Sequence, residues 1–473
     1  MSQAILVLDC GSSALKATAF SPQGMIVASA EASYPASEVE HRQSPDGWWD
    51  AAVAALRDLP PLDFKVIALT GTMENLIPVA EDGTPLGEAL LYSNPCGASY
   101  LEQLREALET ADAAVIAGNA PGPLMTACKL AWLRQNEPGP FAEARWFLPG
   151  SKDFLALRLT GRAVTDASCA ATTGLMDLRT RQWSDALLGV YGIDRGRLPQ
   201  ILPATSIVGT LTEAAAAALD IAPGIPVVNG CGDGAATTIG SGAEQANDVS
   251  LYLGTSGWVA RVAAGDSGGS RPFYRLPHPL IDGVIEIAPI ISGGAAAQWA
   301  RATLGLDLET AERLAARADE APGEALFLPY LNGERSPFVD LDLRAGFVGV
   351  SSTDNAGSLY YAALEGVAFA IAANLAAMGG AGTGTVSLVG GGALSRVWPA
   401  IIADVLGIDI AVPADPISAT SRGAFRVAAK ALGFGEAAGK SARLVQPRMG
   451  RHGRMERQSR RFAAATEFLK TIT

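Results

Sequence analysis

The sequence predicts an α/β protein assembled from two similarly built domains, and three observations carry that expectation. The chain has 473 residues, more than one hydrophobic core usually serves. Apolar strand-like runs alternate with helix-like ones, as α/β layers require. A pattern of strand, glycine with adjacent hydroxyl residues, and strand opens the chain and returns near residue 250, which suggests an internal duplication.

In order, residues 4–8 read as a buried strand, Asp9-Cys10-Gly11-Ser12-Ser13 as a tight polar turn, and residues 17–20 as a second strand. A third strand follows the turn Pro22-Gln23-Gly24. Residues 48–56 read as a helix, 66–70 as a buried strand, and 101–113 and 129–136 as helices. The strand 225–229 runs into Gly230-Cys231-Gly232-Asp233-Gly234 and then a helix. The second half begins with strand Val249–Leu253, turn Gly254-Thr255-Ser256-Gly257 and strand 258–262. Later, Val386–Val389 leads through a glycine-rich turn to the helix Trp398–Leu406. The division falls near residue 245, giving domains 1–245 and 246–473, each presenting one glycine-hydroxyl turn to a cleft.

Composition narrows the partners. A net charge of -12 repels nucleic-acid phosphates and anionic membranes. The basic cluster between Arg443 and Arg461 reads as a solvated helix face. Five cysteines without C-x-x-C spacing suit reduced thiols, and three scattered histidines give little support to a metal centre or a Ser-His-Asp arrangement. Asp9 interrupts the first apolar stretch, so no secretory signal is readable, and residues 359–378 contain Glu365 and Asn374 and read as a buried helix. The expected compartment is the cytoplasm.

Several motifs carry chemistry. A turn of Gly, Ser and Thr gathers N–H groups and hydroxyls that suit phosphate oxygens, although ordinary hairpins use the same residues. Asp9, at the end of an apolar strand, can hold magnesium, with Lys16 to meet phosphate charge. Asp233 stands alone on a glycine-rich strand-to-helix turn, placed to accept a proton from a substrate hydroxyl. Gly230, Gly232 and Ala235 also match a dinucleotide fingerprint, but Asp233 inside that cradle would repel pyrophosphate. Gly433, Gly435, Gly439, Lys440 and Ser441 mimic a P-loop without its spacing. The Gly390-Gly391-Gly392 turn lets a flat adenine approach, or simply lets a helix pack on a strand. Cys10 adjoins Asp9 and Cys231 lies two residues before Asp233; the first reading is small residues filling tight turns, and oxidant-sensitive activity is the second.

Together these segments resemble the FGGY family of carbohydrate kinases, closest to its xylulokinase branch. The likeness rests on residues 8–13 and 253–257 as phosphate motifs, Gly230-Cys231-Gly232-Asp233 as the catalytic segment, and Gly390-Gly391-Gly392-Ala393 as the adenosine motif. Residues 327–337 add a Pro-Tyr-Leu-Asn-Gly-Glu-Arg stretch, read as structural. The resemblance implies two actin-like ATPase (ribonuclease H-like) domains with a catalytic cleft between them, ATP and Mg2+, and transfer of the γ-phosphate to a hydroxyl. It assigns Asp233 as base and Asp9 to the metal. Gly11, Ser12, Ser13, Lys16, Gly254, Thr255, Ser256, Gly294, Gln298, Gly391, Gly392, Ala393 and Arg396 go to the nucleotide, and Met73, Glu74 and Asp233 to a small sugar or polyol substrate. It allows a homodimer.

The sugar pocket departs from the xylulokinase pattern. Thr72-Met73-Glu74-Asn75 stands where Gln-Met-His-Gly is usual, Ser93-Asn94-Pro95-Cys96 replaces Asn-Asp-x-Arg, and Gly234 follows the catalytic Asp in place of Asn. Another ketose, polyol or aldonate is therefore an alternative substrate. A nicotinamide-dependent oxidoreductase and a non-catalytic nucleotide-binding protein are the competing functions.

Overall fold

The computed structural model describes residues 3–265, 273–380, 384–433 and 442–472. They form two compact units. The first draws on Met1–Gly240, Ala264–Ile285 and Thr420–Gly439, the second on Ser241–Ala263, Glu286–Ala419 and Lys440–Thr473.

In the first unit the strands Ile207–Thr210, Pro226–Gly232, Asp63–Gly71, Gln3–Cys10, Ala14–Phe20 and Ile26–Ser33 lie side by side in that order. Gln3–Cys10 is parallel to Asp63–Gly71 and antiparallel to Ala14–Phe20. Its residues 4–8 are buried, which explains an unbroken apolar run where alternation would mark a half-exposed strand. Asp9 and Cys10 belong to this strand, paired with Lys16 and Leu15, so the expected five-residue turn contracts to Gly11-Ser12-Ser13.

The helix Pro45–Arg57 covers the sheet with Trp48, Ala52, Ala55 and Leu56. It starts where Ser44 accepts the Gly47 N–H and Pro45 pre-sets the first turn. The predicted helix 101–113 is instead a series of short ones, Ala98–Gln103, Arg105–Thr110 and Ala113–Ala117. Asp112, at φ 50°, breaks the last junction. Late in the chain, helix Ala419–Leu432 returns to this unit, its Gly423 against the Ala236 carbonyl and Phe425 stacked on Phe20 at 4.8 Å.

The second unit repeats the plan. Strands Gly257–Ala264, Val249–Leu253, Val386–Val389, Ile410–Val412 and Arg443–Val445 are neighbours in that order. Again the leading strand, Val249–Leu253, is antiparallel to its hairpin partner and parallel to the strand on its other side. The long helix Ala356–Ala377 opens with an Asn355/Ser358 capping box and carries Trp398 Nε1 on its Leu364 carbonyl at 2.9 Å. It is apolar enough to cross a membrane by length and composition, yet it is mostly buried within this unit.

The basic C-terminal segment corrects an expectation. Arg448 pairs with Asp319 and Asp404, Arg454 with the buried Glu365, and Arg457 and Arg461 with Glu324. The cluster is thus largely engaged in ion pairs that fasten the helix His452–Leu469, where a freely solvated face was expected. Of the P-loop mimic, only Gly433 lies within the described residues.

Candidate active site

Three parallel strands of the first unit end together. Asp9 is opposite Thr70, Cys10 opposite Gly71, and Gly71 opposite Gly232. Asp233 then begins the helix Asp233–Gly240 with no intervening loop. Two carboxylates therefore flank one strand end, the place where open α/β sheets bind ligands. Gly71 is required there, because a Cβ would meet the Cys10 carbonyl at 2.8 Å. A Cβ at residue 232 would meet the Met73 side chain, so Met73 packs against the residue that precedes Asp233.

Electrostatics follow from this proximity. Burial pushes the Asp233 carboxyl up to about 7, the Asp9 carboxylate adds to the rise, and the Gly234 N–H, donated to Asp233 Oδ1 at 2.8 Å, opposes it. Burial likewise raises Asp9 to about 6 against the pull of Lys16. A group titrating near neutrality can accept a substrate proton at physiological pH. Tyr92 was missed by sequence reasoning. Desolvation raises its phenol, the Asp233 charge adds to the rise, and the Ser12 hydroxyl bonds to it; its N–H is held by Asn75 Oδ1 at 2.9 Å. Nothing in its spacing marked it.

Ser12 and Ser13 are exposed on a turn closed by the Gly11 N–H to the Ala14 carbonyl at 3.1 Å, with Lys16 partly exposed beyond it. The second unit builds an analogous cradle from three segments that meet at Leu253–Gly254. Thr255 and Ser256 are exposed. The helix Gly293–Thr303 seats on this turn through the Gly294 N–H to the Gly254 carbonyl at 2.9 Å and the Ala295 N–H to the Thr255 carbonyl at 2.8 Å. Gly390, at φ 89°, passes so close that a Cβ would lie 2.6 Å from the Leu253 carbonyl. Gln298, Gly391 and Arg396 are exposed, whereas Ala393 is buried and contributes backbone only. Arg396 also donates its N–H to Glu312 at 2.8 Å.

Glu74 sits in the left-handed region at φ 60° and is 6% exposed, a costly conformation for a non-glycine residue. Its carboxylate accepts the Tyr274 hydroxyl at 3.1 and 3.2 Å, and its carbonyl accepts the buried Lys129 Nζ at 2.6 Å. Asn94 is turned inward, donating to the His41 carbonyl at 3.2 Å.

Two secondary readings of the sequence lose support. The dinucleotide fingerprint needs free amides, but the Gly230 N–H bonds to the Ala204 carbonyl at 2.9 Å and the Gly232 N–H to Ser168 Oγ at 3.0 Å. Cys10 and Cys231 are buried, with the Cys10 thiol pushed up to about 12 and Cys231 well above its ordinary value. They are held as thiols and not as the thiolates that oxidants attack.

The donor set fits a magnesium ion. Among the described residues no three His, Cys, Asp or Glu side chains converge on one point, so such an ion would rest on Asp9, phosphate oxygens and water, the usual arrangement for this cation.

Comparison with known proteins adds to this geometry. Residues 4–240 match the N-terminal domain, and 284–432 the C-terminal domain, of the FGGY family of carbohydrate kinases. The chain is 32% identical over 412 residues to the xylulose kinase of Escherichia coli (strain K12), covering 85% of this chain and 84% of that protein. It is 26% identical over 440 residues to the gluconokinase of Bacillus subtilis (strain 168), covering 87% and 85%. The crystal structure of xylulose kinase from Rhodospirillum rubrum matches with a TM-score of 0.86 at 25% identity, over 99% of both chains.

Proposed function

Because the chain belongs to the FGGY family of carbohydrate kinases, we propose that it phosphorylates a neutral ketose or polyol with ATP, using Asp233 as general base and Asp9 to position magnesium. The observation that carries this reading is the pair of carboxylates flanking the Gly71 strand end, with Asp233 shifted to about 7. A base of that pKa is ionised enough at neutral pH to accept a hydroxyl proton as the oxygen attacks phosphorus. Magnesium, when bound, neutralises phosphate charge. Gly11, Ser12, Ser13 and Lys16 in the first unit, and Gly254, Thr255, Ser256, Gly294, Gln298, Gly391, Gly392, Ala393 and Arg396 in the second, are assigned to the nucleotide. Non-catalytic nucleotide binding would not require a base at the substrate end.

Glu74 favours a neutral acceptor over an aldonate. Glu74 follows Met73, whose side chain overlies Gly232, and a carboxyl group among the acceptor contacts offers a substrate carboxylate no positive charge. We propose a cytoplasmic protein, in keeping with the burial of the long apolar helix Ala356–Ala377. The test is ADP release with ATP, magnesium and a panel of ketoses, polyols and aldonates. D-xylulose or a related neutral acceptor should stimulate turnover and gluconate should not; NADH formation in the same panel, without ADP, would sink the kinase reading.

A further inference from the structure

A buried ion cluster lies behind the Asp233 turn. Lys152 and Asp153, fully buried, stand in the first turn of helix Ser151–Thr160, and Asp166 caps the short helix Ala167–Ala171. Lys152 Nζ is 2.8 Å from Asp153 Oδ1 and 3.1 Å from Asp166 Oδ1. Asp166 Oδ2 accepts the Ser168 N–H at 2.8 Å and the Ser168 hydroxyl at 2.5 Å. Ser168 Oγ in turn accepts the Gly232 N–H at 3.0 Å. Lys152 also reaches Asn229 Oδ1 at 3.4 Å, and the Asn229 amide donates to the Thr165 and Leu202 carbonyls at 3.0 and 3.1 Å.

These bonds fall where the ladder to the neighbouring strand is irregular. The register of Pro226–Gly232 against Asp63–Gly71 shifts between Val228 and Cys231, and Gly230 lies at φ 71° so close to Leu69 that a Cβ would strike its carbonyl. A bulge interrupts the ladder and re-aims the residues beyond it. Asn229 anchors the strand inside this irregularity and Gly232 anchors it beyond, one residue before Asp233.

Stability alone gives a poor account of the ions, since apolar side chains of similar volume often replace a buried ion cluster at no loss. Apolar side chains could not orient the Ser168 hydroxyl toward the Gly232 N–H or hold the Asn229 amide. We propose that Lys152, Asp153 and Asp166, acting through Ser168 and Asn229, are positioning residues that fix where the Asp233 carboxylate stands for proton transfer. The proposal rests on the assignment of Asp233 as base.

Ser168→Ala cuts the link between Asp166 and Gly232 while leaving both aspartates in place. With ATP and whichever panel acceptor supports turnover, kcat should fall about 10- to 100-fold, the scale of a misplacement near 1 Å. The KM for ATP should stay within about twofold, since no nucleotide-assigned residue is touched. Ser168→Thr, which keeps the hydroxyl, should recover most of the rate. In an Asp233→Asn background the Ser168→Ala loss should vanish, because there is no base left to misplace. Full kcat in a folded Ser168→Ala protein, or the same proportional loss in both backgrounds, overturns the proposal. Should Ser168→Ala not fold, Asp166→Asn is read by the same two criteria. If no acceptor supports turnover in the wild-type protein, the kinase reading fails on its own. Hydrogen–deuterium exchange across residues 229–234 then decides the anchoring: faster exchange in Ser168→Ala supports it, and unchanged exchange overturns it.

Discussion

The proposed chemistry converges on Asp233, and the environment of that side chain sets a pH dependence. A base must be ionised, and burial holds this carboxyl near 7, so kcat/KM should fall about tenfold per pH unit below that value and level off above it. A flat profile from pH 5 to 8 would remove Asp233 from the role. Asp233→Asn should cost about 10²-fold or more in turnover while preserving nucleotide affinity, read by isothermal titration with ADP. The same shift has a stability consequence. A pKa raised on folding means the folded chain holds this proton more tightly, so the contribution is fully present below the ordinary carboxylate value and is lost as pH rises through about 7. The stability advantage of Asp233→Asn over wild type should therefore grow from about pH 4 to about pH 7 and level off above it, measured by urea midpoints. Glu74→His removes the acceptor of the Tyr274 hydroxyl. It should change the ranking of acceptors in the panel and leave the KM for ATP nearly unchanged; an unaltered ranking would confine Glu74 to a structural part.

Glycines decide the elements of the candidate nucleotide site. The helix Gly293–Thr303 can seat on the Gly254 turn only because residue 294 lacks a Cβ, which would strike the Gly254 carbonyl. Gly294→Ala should lift that helix off the turn and raise the KM for ATP about tenfold, equivalent to roughly 1.4 kcal/mol, with the acceptor KM little changed. An equal rise in both constants would indicate general disruption.

At the scale of the whole molecule, the chain builds the same strand order twice but does not divide cleanly into halves. The helix Ala419–Leu432 returns to the first unit, and the C-terminal helix then belongs to the second. That last helix is held by the Arg454–Glu365 pair, with a further Arg454 bond to the Gly323 carbonyl at 2.7 Å. Arg454→Ala would leave Glu365 buried beside no cation from this helix position, a change that typically costs about 3–5 kcal/mol. The urea transition of the second unit, followed by hydrogen exchange of helix Ala356–Ala377, should move to lower denaturant. An unmoved transition would mean that Glu365 is relieved by neutralising itself.

The sequence by itself determined the α/β class, the duplicated strand-turn-strand pattern and the kinase family, because apolar runs, glycines that permit close approach, and isolated carboxylates are local signals that survive without coordinates. Val386–Val389 and Trp398–Leu406 appear where periodicity put them. Tertiary structure alone decided what those signals touch. Whether Asp9 and Asp233 meet depends on strands more than 200 residues apart pairing with one central strand. Tyr92, Tyr274 and the Lys152 cluster are distant in sequence from the groups they contact, so no spacing announces them. The basic C-terminal run was misread for the same reason: charge is written in the chain, but burial and partners arise only when the chain folds.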